Sequence, residues 1–201
     1  MRKSQQELIK QISDKELTYH LYFTQILLLT ISFVLSIFLF NNFSTFFYQF
    51  QLSWDIFLIG ILSGIVIVLL DLCLMKIIPE KYYDDGGINK RVFSSRSISE
   101  IAFLAAVIAI SEEVLFRGVI QYHFGWLIAS GIFAVIHFRY FAHWFLISNV
   151  VLLSLWIGWV YEWTGNLLVT IMMHFVIDFL LGVHMRWKAK QAEKKEGISD
   201  E

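Results

Sequence analysis

Six side chains in the second half of the chain have the types and spacing of a hydrolytic centre. They are Glu112, Glu113 and Arg117 in SEEVLFR, His137 closing FAVIH, and His174 and Asp178 in HFVID. Glu113 and Arg117 stand four residues apart, so on a helix they share a face and can pair. His174 and Asp178 have the same spacing and can address one partner or one metal ion. Glu112 lies about 100° round the helix from Glu113 and is free to face something other than Arg117. A carboxylate and a neutral imidazole, desolvated and close together, can bind a water and deprotonate it for attack on a carbonyl. A second imidazole and carboxyl group can then stabilise the oxyanion. Alternatively, Glu112, His137, His174 and Asp178 can ligate a Zn²⁺ ion that activates the water itself.

The elements that must position these groups are membrane helices. Of 201 residues, 57% are hydrophobic, 17% aromatic and 16% charged, against about 45–50% apolar and about 25% charged in soluble domains. Residues 1–16 hold seven charged groups, 76–100 nine and 186–201 nine, which leaves eight for the rest of the chain. The stretches between are nearly free of charge, and each transmembrane helix needs about 20 such residues. They predict spans at 19–40, 54–75, 98–119, 124–138, 144–163 and 166–185, the fourth short for a full crossing. Period-2 alternation, the mark of a membrane β-barrel, is missing from these runs. The expected fold is therefore an all-α polytopic bundle of about six transmembrane helices, with the lipid bilayer as its solvent. Ionisable groups inside such spans cost about 2.5–3.5 kcal/mol each on insertion scales, which makes the six side chains functional candidates.

Fourteen of the sixteen Lys and Arg residues lie in the N-terminal tail, the 76–97 loop and the C-terminal tail. Six spans put all three on one side, so the positive-inside rule predicts that both termini are cytoplasmic. The chain accordingly divides into 1–97, with two spans and the main cytoplasmic loop, a four-helix core at 98–185, and a solvated tail at 186–201. Asp84 to Gly87, DDGG, reads as a turn in that loop. The N-terminus lacks the pattern of a cleavable signal. A lone cysteine, Cys73, excludes a disulfide framework, and a net charge of −1 without a basic stripe excludes nucleic acid as a partner. At about 1.5 Å rise per residue, Glu112, His137, His174 and Asp178 fall within a turn or two of one level, so a shared site is permitted.

The three motifs, Glu112-Glu113…Arg117, Phe133…His137 and His174…Asp178, resemble in order and spacing the CPBP family of intramembrane proteases, which includes CAAX proteases, bacteriocin-processing enzymes and abortive-infection proteins. The likeness covers about 98–184. It implies Glu112 as general base, His137 helping to hold the water, His174 and Asp178 as the oxyanion pair, and Glu113 and Arg117 in support. The eukaryotic prenyl-protein proteases typically carry Asn where this chain has Asp178. An ionised Asp cannot donate to an oxyanion, so it must be protonated, orient His174 or ligate a metal. The resemblance implies a membrane-associated peptide or protein as substrate and leaves open whether zinc takes part. The compact form and an AT-type composition (Ile, Lys, Asn, Phe) point to a multi-pass protein of a bacterial cytoplasmic membrane.

The remaining histidines, His20, His123, His143 and His184, fall near span ends and read as interfacial. Phe133 reads as packing around the site. Asp71, about a turn inside its span, is the least comfortable of the other acids. Gly60 and Gly64 form GxxxG, which serves internal packing and dimerisation equally well. Two rival functions stand beside the protease: a non-cleaving bacteriocin-immunity or regulatory binding protein, and a small proton pathway, since buried Glu and His also serve as relays. Oligomeric state is not encoded in any motif.

Overall fold

Where the helices begin is set largely by their caps. In the computed structural model, which describes residues 12–199, every regular element among the described residues is helical. The basic tail residues Arg2, Lys3 and Lys10 lie outside the described residues. Ser13 and Glu16 close a reciprocal capping box that starts α1, Asp14–Leu39. Asn42 caps the short α2, Phe43–Phe47, by accepting the Ser44 N–H at 2.9 Å. A π-helical segment, Ile56–Ile61, then runs into α3, Leu62–Ile77. The loop that follows holds a 3-10 turn, Glu80–Tyr82, and α4, Ile88–Phe93. A second capping box, Ser97 with Glu100, starts α5, Ile98–Glu113. This helix continues as a π-helix over Val114–Gln121 and a last turn at Tyr122–Phe124. Gly125, at φ 87°, breaks the rod before α6, Trp126–Ile136. A 3-10 turn at Phe138–Ala142 leads to α7, Trp144–Thr164, and then to α8, Leu167–Ser199.

Four helices are long and apolar enough to cross a membrane: Asp14–Leu39, Ile56–Ile77, Trp144–Thr164 and Leu167–Lys195. The other two expected spans do not qualify by length and composition. At 11 residues, α6 is only about 16 Å long. The rod that starts with α5 carries Glu100, Glu112, Glu113 and Arg117 along its length. The groups that make that segment a functional candidate are the ones that spoil its apolarity. The last helix, α8, continues past the expected span end at residue 185 and runs on to Ser199. Its Ala, Lys, Gln and Glu residues are strong helix formers with no proline among them.

The central element is α8, which packs on α5, on the 56–61 segment, on α3 and on α7. Ile56, Val68, Ile157, Val160, Val169, Met173 and Ile177 form the core shared by the 56–61 segment, α3, α7 and α8. A Cβ on Gly60 would come 2.9 Å from the Val169 carbonyl oxygen, and one on Gly64 2.9 Å from Val176. The GxxxG stripe is therefore spent on internal contact with α8. In α1 the buried residues are Gln25, Ser32 and Ser36, while Phe23, Phe33 and Phe38 face outward. Small and polar residues inward and large apolar ones toward lipid is the arrangement expected where hydrocarbon is the solvent. Gln25 accepts from Ser111 Oγ at 2.5 Å and ties α1 to α5. Asp71 finds Asn149 on α7, whose amide donates to it at 2.6 Å.

Candidate active site

The capping box ahead of α5 sets the register of that helix. Ser97 N–H donates to Glu100 at 2.7 Å and Ser97 Oγ accepts the Glu100 N–H at 3.3 Å. About four turns later this register turns Ser111, Glu112 and Glu113 inward. The helix then widens into its π-helical segment, a form that recurs at functional sites. One carbonyl of that segment, Gly118 O, accepts from the Gln49 side-chain amide at 3.1 Å, and Gln49 Oε1 in turn accepts from the Tyr161 hydroxyl.

His174 on α8 is the hub. Its Nδ1 lies 2.9 Å from Glu113 Oε1. A carboxylate only accepts, so Nδ1 carries the proton of this bond. Its Nε2 faces Asp178 Oδ2 at 3.6 Å and Glu112 Oε2 at 3.9 Å. One imidazole is thus ringed by three carboxyl groups. Glu113 Oε2 faces Arg117 Nε at 3.3 Å, and both side chains are wholly buried. These two atoms are not aligned as a hydrogen bond, so charge and enclosure hold the pair. Arg117 donates from Nη2 to Ser154 Oγ on α7 at 3.1 Å, and its guanidinium lies 5.4 Å from the centre of the Phe133 ring.

His137 closes α6 as its C-terminal cap. Its Nδ1 lies 2.8 Å from the Phe133 carbonyl oxygen. Since a carbonyl only accepts, Nδ1 carries a proton, and in the neutral ring Nε2 keeps its lone pair. The Phe133 ring lies 4.5 Å from the His137 ring and 6.5 Å from that of His174. Five of the six expected residues therefore meet by direct polar contact, and His137 joins them through Phe133. Glu113 and Arg117 are sealed, whereas the Asp178 side chain keeps 25% of its surface and His137 is half-buried.

Ser154, Gln49 and Tyr161 were not predicted. A lone serine in VVLLSLWIG reads as a small packing residue, and nothing local marks it as the partner of an arginine 37 positions away. Phe133 packs around the site, against Phe116, Arg117, His137 and His174. His123 sits edge-on to Phe40, and His184 lies 6.1 Å from Trp187. Among the described residues, no group of three or more His, Cys, Asp or Glu is placed to hold a metal ion. Glu112, His137, His174 and Asp178 are not gathered into such a group.

The family model described as type II CAAX prenyl endopeptidase Rce1-like matches residues 94–180. A Bacillus subtilis (strain 168) protein described as uncharacterized protein YpbD is 45% identical over 137 residues, which are 68% of this chain and 72% of that protein. The chain belongs to the Rce1-like family. No solved structure matches it significantly. All six candidate residues fall inside the segment that the Rce1-like model covers. The family is named for endopeptidases, while the name of the Bacillus relative states no activity.

Proposed function

We propose that this chain is an intramembrane endopeptidase that hydrolyses a peptide bond in a membrane-associated peptide or protein, of the CAAX or leader-peptide type. The observation that carries the reading is the His174 hub, with Glu113 on one ring nitrogen and Glu112 and Asp178 facing the other, inside the Rce1-like segment.

In this reading Glu112 and the Nε2 lone pair of His137 hold a water molecule. Glu112 takes a proton as the water oxygen bonds to the scissile carbonyl carbon, then passes it to the amine as the C–N bond breaks. The carbonyl oxygen, negative in between, is met by donors from His174 and Asp178. Donation from Nε2 requires His174 to carry protons on both nitrogens, and the three carboxyl groups supply the counter-charge. Glu113 acts by holding Nδ1, so that the ring cannot turn, and Arg117 holds Glu113. Asp178 orients Nε2 or, when protonated, donates itself. The bundle that supports this chemistry is read as six spans with cytoplasmic termini, on the distribution of Lys and Arg, and as lying in a bacterial membrane, on the compact form and composition of the chain. The catalytic unit is read as 98–185, preceded by 1–97 and followed by the 186–201 tail.

The test compares wild type with Glu112→Gln at matched membrane levels, by mass spectrometry of released and retained peptides. Peptides present only with the wild type are expected, and they would name the substrate. Release at the native rate from the Gln variant would end the mechanism. A cellular phenotype kept in full by Glu112→Gln, with no peptide differing, would instead favour a non-cleaving immunity or regulatory protein.

A further inference from the structure

Tyr140 lies outside the three motifs, yet it reaches the site. It is buried, and its ring lies nearly parallel to the His137 imidazole, at 16° with centroids 6.0 Å apart. With the Phe133 ring at 4.5 Å and the bond from Nδ1 to the Phe133 carbonyl, it completes the surroundings that restrict this imidazole. Tyr140 is in turn held from far along the chain. Its hydroxyl accepts from Asn89 Nδ2 at 3.1 Å and from Arg139 Nη2. The same Arg139 nitrogen donates to Asn89 Oδ1 at 2.9 Å and lies 3.9 Å from Asp85 Oδ2. Asn89 belongs to the first turn of α4, where its own N–H donates to the Asp85 carboxylate at 3.2 Å. The strap that carries Asp85 and Asn89 also lays Tyr82 against Trp144 and Tyr83 against Phe145.

We propose that Tyr140 is a positioning residue for His137, latched in place by Asn89 and Arg139. The proposal rests on the reading above, in which His137 helps to hold the attacking water. An imidazole whose Nδ1 is already committed has one useful direction for its Nε2 lone pair, and the Tyr140 ring keeps it from rotating out of that direction. The hydroxyl makes no contact with the reacting groups; it anchors the ring to the strap. Displacement of a catalytic group by about 1 Å can cost as much as about 100-fold in rate, so a support of this kind matters to turnover more than to substrate binding.

The full chain, labelled with ¹⁵N-histidine in detergent micelles, tests this directly, with the His137 signals identified by their loss in His137→Gln. Wild type is expected to give one Nδ1-protonated tautomer for His137. Tyr140→Leu is expected to give a mixture of tautomers while the His174 signals stay in place. Tyr140→Phe and Asn89→Ala, which keep a ring at 140 but loosen the latch, are expected to fall in between, and they carry the test if Tyr140→Leu disturbs His174 as well. On a peptide whose release depends on Glu112, Tyr140→Leu should lower kcat by roughly tenfold or more with little change in KM, and Tyr140→Phe should recover most of it. His137 signals in all three variants that superimpose on wild type would overturn the proposal. Should wild type release no Glu112-dependent peptide, the protease reading falls and the spectra alone decide on Tyr140.

Discussion

A wholly buried Glu113–Arg117 pair is costly to build, because both charges leave water before they meet. Its arrangement is asymmetric: Glu113 Oε1 is met by His174, and Arg117 Nη2 by Ser154, with the Phe133 ring beside the guanidinium. Removal of one partner strands the other. Arg117→Met is expected to lower stability by about 3–5 kcal/mol, read as loss of thermal stability in detergent. The double variant Glu113→Gln with Arg117→Met should regain much of that stability but not the cleavage, since Gln holds Nδ1 without charge. A double variant as unstable as the single one would show that the two residues are not energetically coupled. Ser154→Ala removes the acceptor of a charged donor and should cost about 1.5–3 kcal/mol. Its effect on cleavage should exceed that of a comparable change elsewhere on α7, because Arg117 is what steadies Glu113.

At the scale of elements, close approach to α8 depends on small residues. Gly64 meets Val176 and the Met173 carbonyl oxygen, and Gly158 leaves room for the Trp126 ring. Gly64→Leu is expected to cost at least the about 1–3 kcal/mol of an overpacked core. The loss should be independent of protein concentration; a loss that grows on dilution would return the stripe to a dimer interface. The strap offers a second check. Burial is the main influence on the Asp85 carboxyl and pushes it above the ordinary range, against the pull of Arg139 and the Asn89 N–H. A carboxyl that holds its proton more tightly in the folded form adds stability that is full below its unfolded value, near 3.8, and fades as pH rises through the folded one. Protection of the 88–93 amides from hydrogen exchange, referred to the intrinsic exchange rate at each pH, should therefore be greatest at the acid end of that range, and Asp85→Asn should flatten the dependence. An unaltered profile in Asp85→Asn would remove Asp85 from the explanation.

For the molecule as a whole, cleavage carried by the protein's own carboxyl and imidazole groups should survive chelators in detergent. Loss of activity with EDTA or phenanthroline, restored by zinc alone, would mean that the four candidate ligands rearrange around an ion. How much was legible beforehand differs from residue to residue. The apolar runs and the i,i+4 pairs could be read directly, because a helix fixes which of its own residues share a face. Glu113 beside Arg117 and His174 beside Asp178 are such cases. The choice between internal packing and dimerisation for Gly60 and Gly64 could not be read, nor could Ser154, Gln49 or Tyr140 as partners of the site. Each depends on which helices become neighbours, and that follows from the packing of all of them together. The chain's periodicity and charge pattern thus settle its class, an all-helical protein with helices of membrane-spanning length, while the three motifs carry its resemblance to the protease family. Only the tertiary structure decides that His174 is the point where Glu112, Glu113 and Asp178 meet, since contacts between helices are set by the fit of whole surfaces and leave no mark in local spacing.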